Sequence, residues 1–145
     1  MLKTESRILN ILLFIILSLW QLPQIIVGLV LLLIFRNKEK YTNPHNHVSV
    51  WNINSGRVFG KACFSTGPII VTCEGIKEDI LLHETGHSQQ SIYFGPLFHI
   101  VISIPSICRF WYRRIFNKST DWYHSGYPEN WADKLGGVRT DINTN

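Results

Sequence analysis

His83 and His87 stand four residues apart in Leu81-Leu82-His83-Glu84-Thr85-Gly86-His87. On a helix turning about 100° per residue, this spacing puts both imidazoles on one face, one turn apart, where they can reach a single metal ion. Glu84 lies beside them and is not needed as a ligand. A carboxylate there can take the proton from a water that the ion activates, which is the chemistry of the H-E-x-x-H pattern. Two histidines leave a catalytic zinc site short of a third protein ligand, with the fourth position kept for water. The segment Tyr127-Pro128-Glu129-Asn130-Trp131-Ala132-Asp133-Lys134-Leu135-Gly136-Gly137 supplies a candidate. Pro128 would open a short helix and the glycines would close it. Glu129 and Asp133 share a face of that helix. Glu129 can be the third ligand, and Asp133 can accept a hydrogen bond from a zinc-bound histidine, fixing its tautomer.

The elements that must position these groups follow from patterning. Ile76 to Tyr93 reads as the metal helix, stopped by Gly95-Pro96. Gly86 within it costs helix propensity and points to close approach of another backbone element. Before it, His47–Ile53, Arg57–Phe59 and Phe64–Thr72 are β-forming runs, read as a small antiparallel sheet of two or three strands. Gly60, Gly67 and Pro68 mark bends or an edge. Three other groups precede the third-ligand helix, where a donor is wanted for the oxyanion formed when water attacks a carbonyl: Tyr123, His124 and Tyr127. His124 and Tyr127 are the candidates for that role. His45, His47 and His99 are read as ordinary surface or hydrogen-bonded histidines.

The two motifs together resemble those of the gluzincin metallopeptidases, the thermolysin-like clan, in which an H-E-x-x-H helix is followed by an E-x-x-x-D helix. His83-Glu84-x-x-His87 and Glu129-x-x-x-Asp133 match residue by residue, and the likeness covers about Val58 to Gly137. It implies one Zn²⁺ held by His83, His87 and Glu129, Glu84 as the proton carrier, and Asp133 as the supporting acid. It also implies a strand before the metal helix that binds the substrate backbone along its edge. The chain departs from the clan in lacking a separate helical domain for the far wall of a cleft and in carrying an apolar insert between the motifs. A reduced, membrane-attached form is expected.

Composition agrees with a membrane setting. Of 145 residues, 46% are hydrophobic and 17% charged, against roughly 25% charged in soluble domains. Ile8 to Phe35 is apolar except for Asn10, Ser18, Gln21 and Gln24. That is longer than the roughly 20 residues a bilayer core requires. It lacks the small-residue cleavage site of a signal peptide. Lys3 and Arg7 precede it and Arg36, Lys38 and Lys40 follow it, so a helical hairpin turning at Trp20–Gln24 keeps both basic flanks on the cytoplasmic side. A single tilted or Pro23-kinked span is the alternative.

A second apolar run, Gly95 to Cys108, separates the histidines from Glu129. Since all three must meet at one ion, Leu97–Cys108 is expected to dip into the membrane and return, or to lie at its surface, bent at Pro105. Arg109, Arg113, Arg114 and Lys118, mixed with Phe110, Trp111, Tyr112 and Phe116, suit a headgroup region. No nucleic-acid-binding motif accompanies these cations, so nucleic acid is not an expected partner. Cys63, Cys73 and Cys108 form no CxxC pair and are read as small buried hydrophobes.

The resulting fold class is α+β: residues 1–40 a membrane anchor, residues 41–145 a metallopeptidase-like domain with an insert at 95–116. The expected activity is hydrolysis of peptide bonds in a peptide or protein at the surface of the lipid bilayer. The expected place is a bacterial cytoplasmic membrane, with the site on its cytoplasmic face. Two other readings stand beside it: an intramembrane metalloprotease, disfavoured by the polar residues from Lys77 to Gln90, and a non-catalytic membrane protein with a degenerate metal site.

Overall fold

A computed structural model describes residues 7–34, 38–42, 49–54, 63–72 and 76–138. His45, His47, Arg57–Phe59 and Cys73 lie outside these. The chain is mostly helical, with one small sheet.

The apolar block forms two helices, α1 (Arg7–Trp20) and α2 (Leu22–Ile34). They are bent by 79° at Gln21. The break falls within the expected turn at Trp20–Gln24, but at 79° the helices neither run antiparallel, for which a loop of about 2–5 residues is usual, nor continue as one straight span. Here a single residue intervenes, and backbone bonds from Gln21 N to Leu17 O and from Ile25 N to Gln21 O bridge the break, each at 3.0 Å. Pro23 falls in the first turn of α2, where its missing N–H removes no helical bond. No single helix among the described residues is long and apolar enough to cross a membrane, whereas the bent pair taken together has the length and composition.

The polar residues of the block have definite partners. Trp20 Nε1 donates to Ile92 O at 2.9 Å, Ser91 donates to Gln21 Oε1 at 2.8 Å, and the buried Gln24 side chain donates to Gly95 O. The bend is thereby fastened to the end of the metal helix.

Four strands follow: β1 (Lys38–Thr42), β2 (Ser49–Asn54), β3 (Phe64–Ser65) and β4 (Ile69–Thr72). Their order is β1-β2-β4-β3. The outer pairs are antiparallel, but β2 and β4 are parallel, with Trp51 opposite Ile69 and Asn54 opposite Thr72. The all-antiparallel expectation therefore fails at the centre. Residues 55–68 intervene between β2 and β4, more than the roughly dozen that a parallel crossover needs. The expected strand Phe64–Thr72 also breaks, turning at Gly67 with φ +81° and with Thr66 N bonded to Ile69 O at 2.8 Å. In consequence β4, the strand before the metal helix, is paired on both sides and is not the edge expected from the resemblance. β3 is.

β4 is wholly buried, with Ile69 and Val71 packed against Leu31 and Leu32 of α2 and against Phe64. The metal helix, α3 (Glu78–Phe94), packs on β3 and β4 and closes at Gly95. Glu78 and Asp79 in its first turn favour the positive end of the helix dipole.

The insert then runs as a 3₁₀ turn (Gly95–Leu97), a π-helical stretch (His99–Ser103) and α4 (Ile104–Ile115). It does not turn back on itself. Pro105 sits in the first turn of α4, and helical backbone continues from Phe98 to Ile115, so no return of the chain occurs within Leu97–Cys108. The chain returns through α5 (Thr120–His124) to α6 (Glu129–Gly136), which starts after Pro128 and ends at Gly137 with φ +74°.

Candidate metal centre

Two close helix contacts build the site. A methyl group placed on Gly86 would lie 1.9 Å from the Ala132 carbonyl oxygen, and one on Gly136 would lie 2.0 Å from that of Leu82. Only hydrogen fits at either position, which lets α3 and α6 approach backbone to backbone. Gly86 and Ala132 lie between the ligand positions of their helices, so the carboxylates of one helix meet the imidazoles of the other.

His83 Nε2 lies 2.9 Å from Glu129 Oε2, and His87 Nε2 lies 3.3 Å from the same oxygen. All three groups are buried. Their other faces are held as well. His83 Nδ1 donates to Asp133 Oδ1 at 2.6 Å, and His87 Nδ1 donates to Gln90 Oε1 at 2.7 Å, while Gln90 Nε2 donates to Pro128 O at 3.1 Å. Each imidazole thus keeps Nε2 for the shared centre, the condition a metal-ligating histidine meets.

Two observations test whether these residues fit a zinc ion. Tetrahedral bonds of about 2.0–2.1 Å place ligand atoms roughly 3.3 Å apart, close to the 2.9 and 3.3 Å found. Moreover, Glu129 Oε1 is buried with no hydrogen-bond partner among the described residues, expensive for a carboxylate unless a cation answers its charge, and Glu84 Oε2 is likewise unpartnered and open to a proton. Asp133, His83 and His124 form a second cluster of ligand-type groups. It would draw on His83 Nδ1, which Asp133 already engages.

The electrostatics are those of a site built around positive charge. Burial alone would lower the pKa of His83, but the hydrogen bonds to Asp133 and Glu129 overcome it and lift it to about 10. Burial would raise Glu129, yet the bonds from His83 and His87 hold it well below the usual carboxylate range. Asp133 is opposed by burial in the same way and is held down at about 2 by His124 and His83. Glu84 behaves differently: burial pushes its carboxyl up, and the nearby histidines only partly offset this.

Of the groups before α6, His124 Nδ1 donates to Asp133 Oδ2 at 2.9 Å, so one carboxylate bridges two histidines. The ring centroids of His83 and His124 are 5.0 Å apart. Tyr127 points elsewhere, donating to Val101 O at 2.9 Å with half its surface exposed. Tyr123 is the tyrosine at the site: burial and the Glu129 charge raise its pKa, and its hydroxyl lies 3.3 Å from Ser106 Oγ. Sequence reasoning missed Gln90 and Ser106. Gln90 was open to detection, being three residues after His87 on the same helix face; Ser106 carried no such signal. His99 lies in the insert, its Nδ1 3.1 Å from Ser103 Oγ, away from the centre.

Set beside protein-family models, characterised proteins and solved structures, the chain matches none, and its functional reading rests on this geometry.

Proposed function

We propose that the chain is a membrane-attached, zinc-dependent peptidase of reduced gluzincin type, in which His83, His87 and Glu129 hold one ion. The observation that carries the reading is the convergence of two imidazole Nε2 atoms on one carboxylate oxygen, each ring held from behind by a separate acceptor. When bound, zinc supplies a Lewis acid for the scissile carbonyl and makes water acidic enough to attack near neutral pH. Glu84 takes the water proton on its free Oε2 and passes it to the leaving amine. Its raised pKa suits a group that must both accept and release a proton. Asp133 and Gln90 fix the imidazole tautomers and orientations.

His124, with Nδ1–H donating to Asp133, would donate from Nε2 to the developing oxyanion in its imidazolium form, where both ring nitrogens carry protons, while Tyr123 steadies Glu129 from the α5 side. The α1–α2 pair attaches the protein to the bilayer. Polar, exposed Lys77, Glu78 and Asp79 at the start of α3 favour a site at the membrane surface over one within hydrocarbon.

The test is metal content followed by peptide cleavage. The purified full chain should carry one equivalent of zinc and cleave a quenched-fluorescence peptide library, and Glu84→Gln should keep the zinc and lose turnover. Absence of stoichiometric metal would leave the non-catalytic reading in its place. Loss of zinc from Glu84→Gln would make Glu84 a ligand.

A further inference from the structure

α4 is amphipathic with its apolar side outward. At about 100° per residue, Ile104, Ile107, Trp111 and Ile115 fall within about 80° of one another around the axis. They are 54%, 56%, 56% and 68% exposed, and Ile100 in the preceding π-helical stretch is exposed too. The opposite side carries Ser106, Arg109 and Arg113, turned inward onto α5. Arg109 Nε donates to Tyr123 O at 2.7 Å, its Nη2 donates to Trp122 O, and its guanidinium lies 3.9 Å from the Trp122 ring centroid. Arg113 donates to Thr120 Oγ1 at 3.1 Å. A helix bathed in water has the reverse arrangement, apolar stripe inward and cations outward.

Charge indicates what covers the stripe. Between Glu84 and Asp121 the sequence contains no acidic residue, while Arg109, Arg113, Arg114 and Lys118 are all present. Arg114 and Lys118 are exposed at the C-terminal end of the stripe, beside exposed Trp111, Tyr112 and Phe116. Isoleucines followed by aromatics and then by unopposed cations reproduce the order of acyl chains, boundary and anionic headgroups. A soluble protein partner would explain the apolar residues but not the one-signed charge. The outward residues of α1 and α2 require the same surroundings.

We propose that α4 is an interfacial helix: its Ile100–Ile104–Ile107–Trp111–Ile115 stripe lies in the acyl–headgroup boundary of an anionic bilayer, with Arg114 and Lys118 on the phosphates. The placement does not depend on turnover at the metal centre.

Spin labelling of the full chain tests it without reference to activity. In a background of Cys63→Ser, Cys73→Ala and Cys108→Ser, single cysteines at 100, 104, 107, 111 and 115 carry a nitroxide. A label at exposed Glu78 is the aqueous control. In vesicles of phosphatidylcholine with phosphatidylglycerol, the stripe labels should be relaxed several-fold more by oxygen than by a water-soluble nickel chelate, and the control should show the reverse. Equal access of the chelate to stripe and control labels would overturn the proposal. So would dipolar broadening that disappears on dilution with unlabelled chain, because the stripe would then face a second copy. Five independent positions keep the result readable if one labelled variant fails to fold. Failure here leaves the peptidase reading standing, and absence of zinc leaves this placement standing.

Discussion

Glu129 and Asp133 are both buried carboxylates one turn apart, and both bond His83, but they do so on opposite sides of the ring. In the proposed site, removing Glu129 would take away one of three protein bonds to the ion, whereas losing a supporting partner usually costs about 10–100-fold in affinity or activity. Zinc titration should therefore find Glu129→Gln binding poorly or not at all, with Asp133→Asn and Gln90→Leu still filling at high zinc but with weakened affinity. An emptied Asp133→Asn site beside a filled Glu129→Gln site would reverse the assignment. The proton on His83 gives a pH test. Its pKa is raised from 6.5 to about 10 in the metal-free fold, so its contribution to stability is fully present below 6.5 and is lost as pH rises through about 10. Asp133 has the opposite sign: its contribution is present above its ordinary 3.8 and is lost as pH falls through about 2. Denaturant midpoints of the metal-free chain should fall on going from pH 7 to 10. The zinc-loaded chain should hold its midpoint there, since the ion replaces the proton that the alkaline solution removes. A flat profile for the metal-free chain would show that His83 is neutral at pH 7.

The pairing of α3 with α6 hangs on positions that admit no side chain. Gly86→Ala would drive a methyl group into the Ala132 carbonyl, and overpacking of this kind costs about 1–3 kcal/mol. The expected result is a lowered melting temperature together with weaker zinc binding, because separation of the helices carries Glu129 away from the histidines. Unchanged zinc affinity in a destabilised Gly86→Ala protein would show that the site tolerates the shift. Much of this level could be read from the sequence. Four-residue spacings predict two ligand-bearing helices, and Pro128 and Gly137 mark the ends of the second. The sheet was less legible, since β patterning reports which residues face a core and not which direction the neighbouring strand runs. β1 hid in Lys38-Glu39-Lys40, which reads as a charged flank. The orientation of α4 was equally hidden, because an apolar stripe on a helix normally predicts its buried side. Tyr123 could not be tied to Ser106 or to Glu129 from spacing alone, since their meeting depends on how α4, α5 and α6 pack.

At the scale of the whole molecule, the proposed ion would join segments far apart in the chain, His87 and Glu129 being 42 positions distant. A ligand present at about 1,000 times its dissociation constant stabilises the fold by about 4 kcal/mol, or roughly 10 °C in melting temperature for a chain of this size. Zinc should raise the melting temperature by about that amount, and a chelator should lower it again. The Glu129→Gln variant should show neither change. The fastening of the α1–α2 bend to the end of α3 has a consequence in time. Gln24 leaves the ribosome 71 residues ahead of Gly95, whose carbonyl it bonds. At roughly 5–20 residues per second, that interval is about 4–14 s. Throughout it, two glutamines stand in an apolar segment with no partner from α3, and amides left unsatisfied in hydrocarbon are costly. The segment therefore has reason to stay shallow, or in the company of the insertion machinery, until the metal helix arrives. Chains interrupted before Ser91 would keep those amides exposed, marking themselves as unfinished for whatever proteases patrol the membrane.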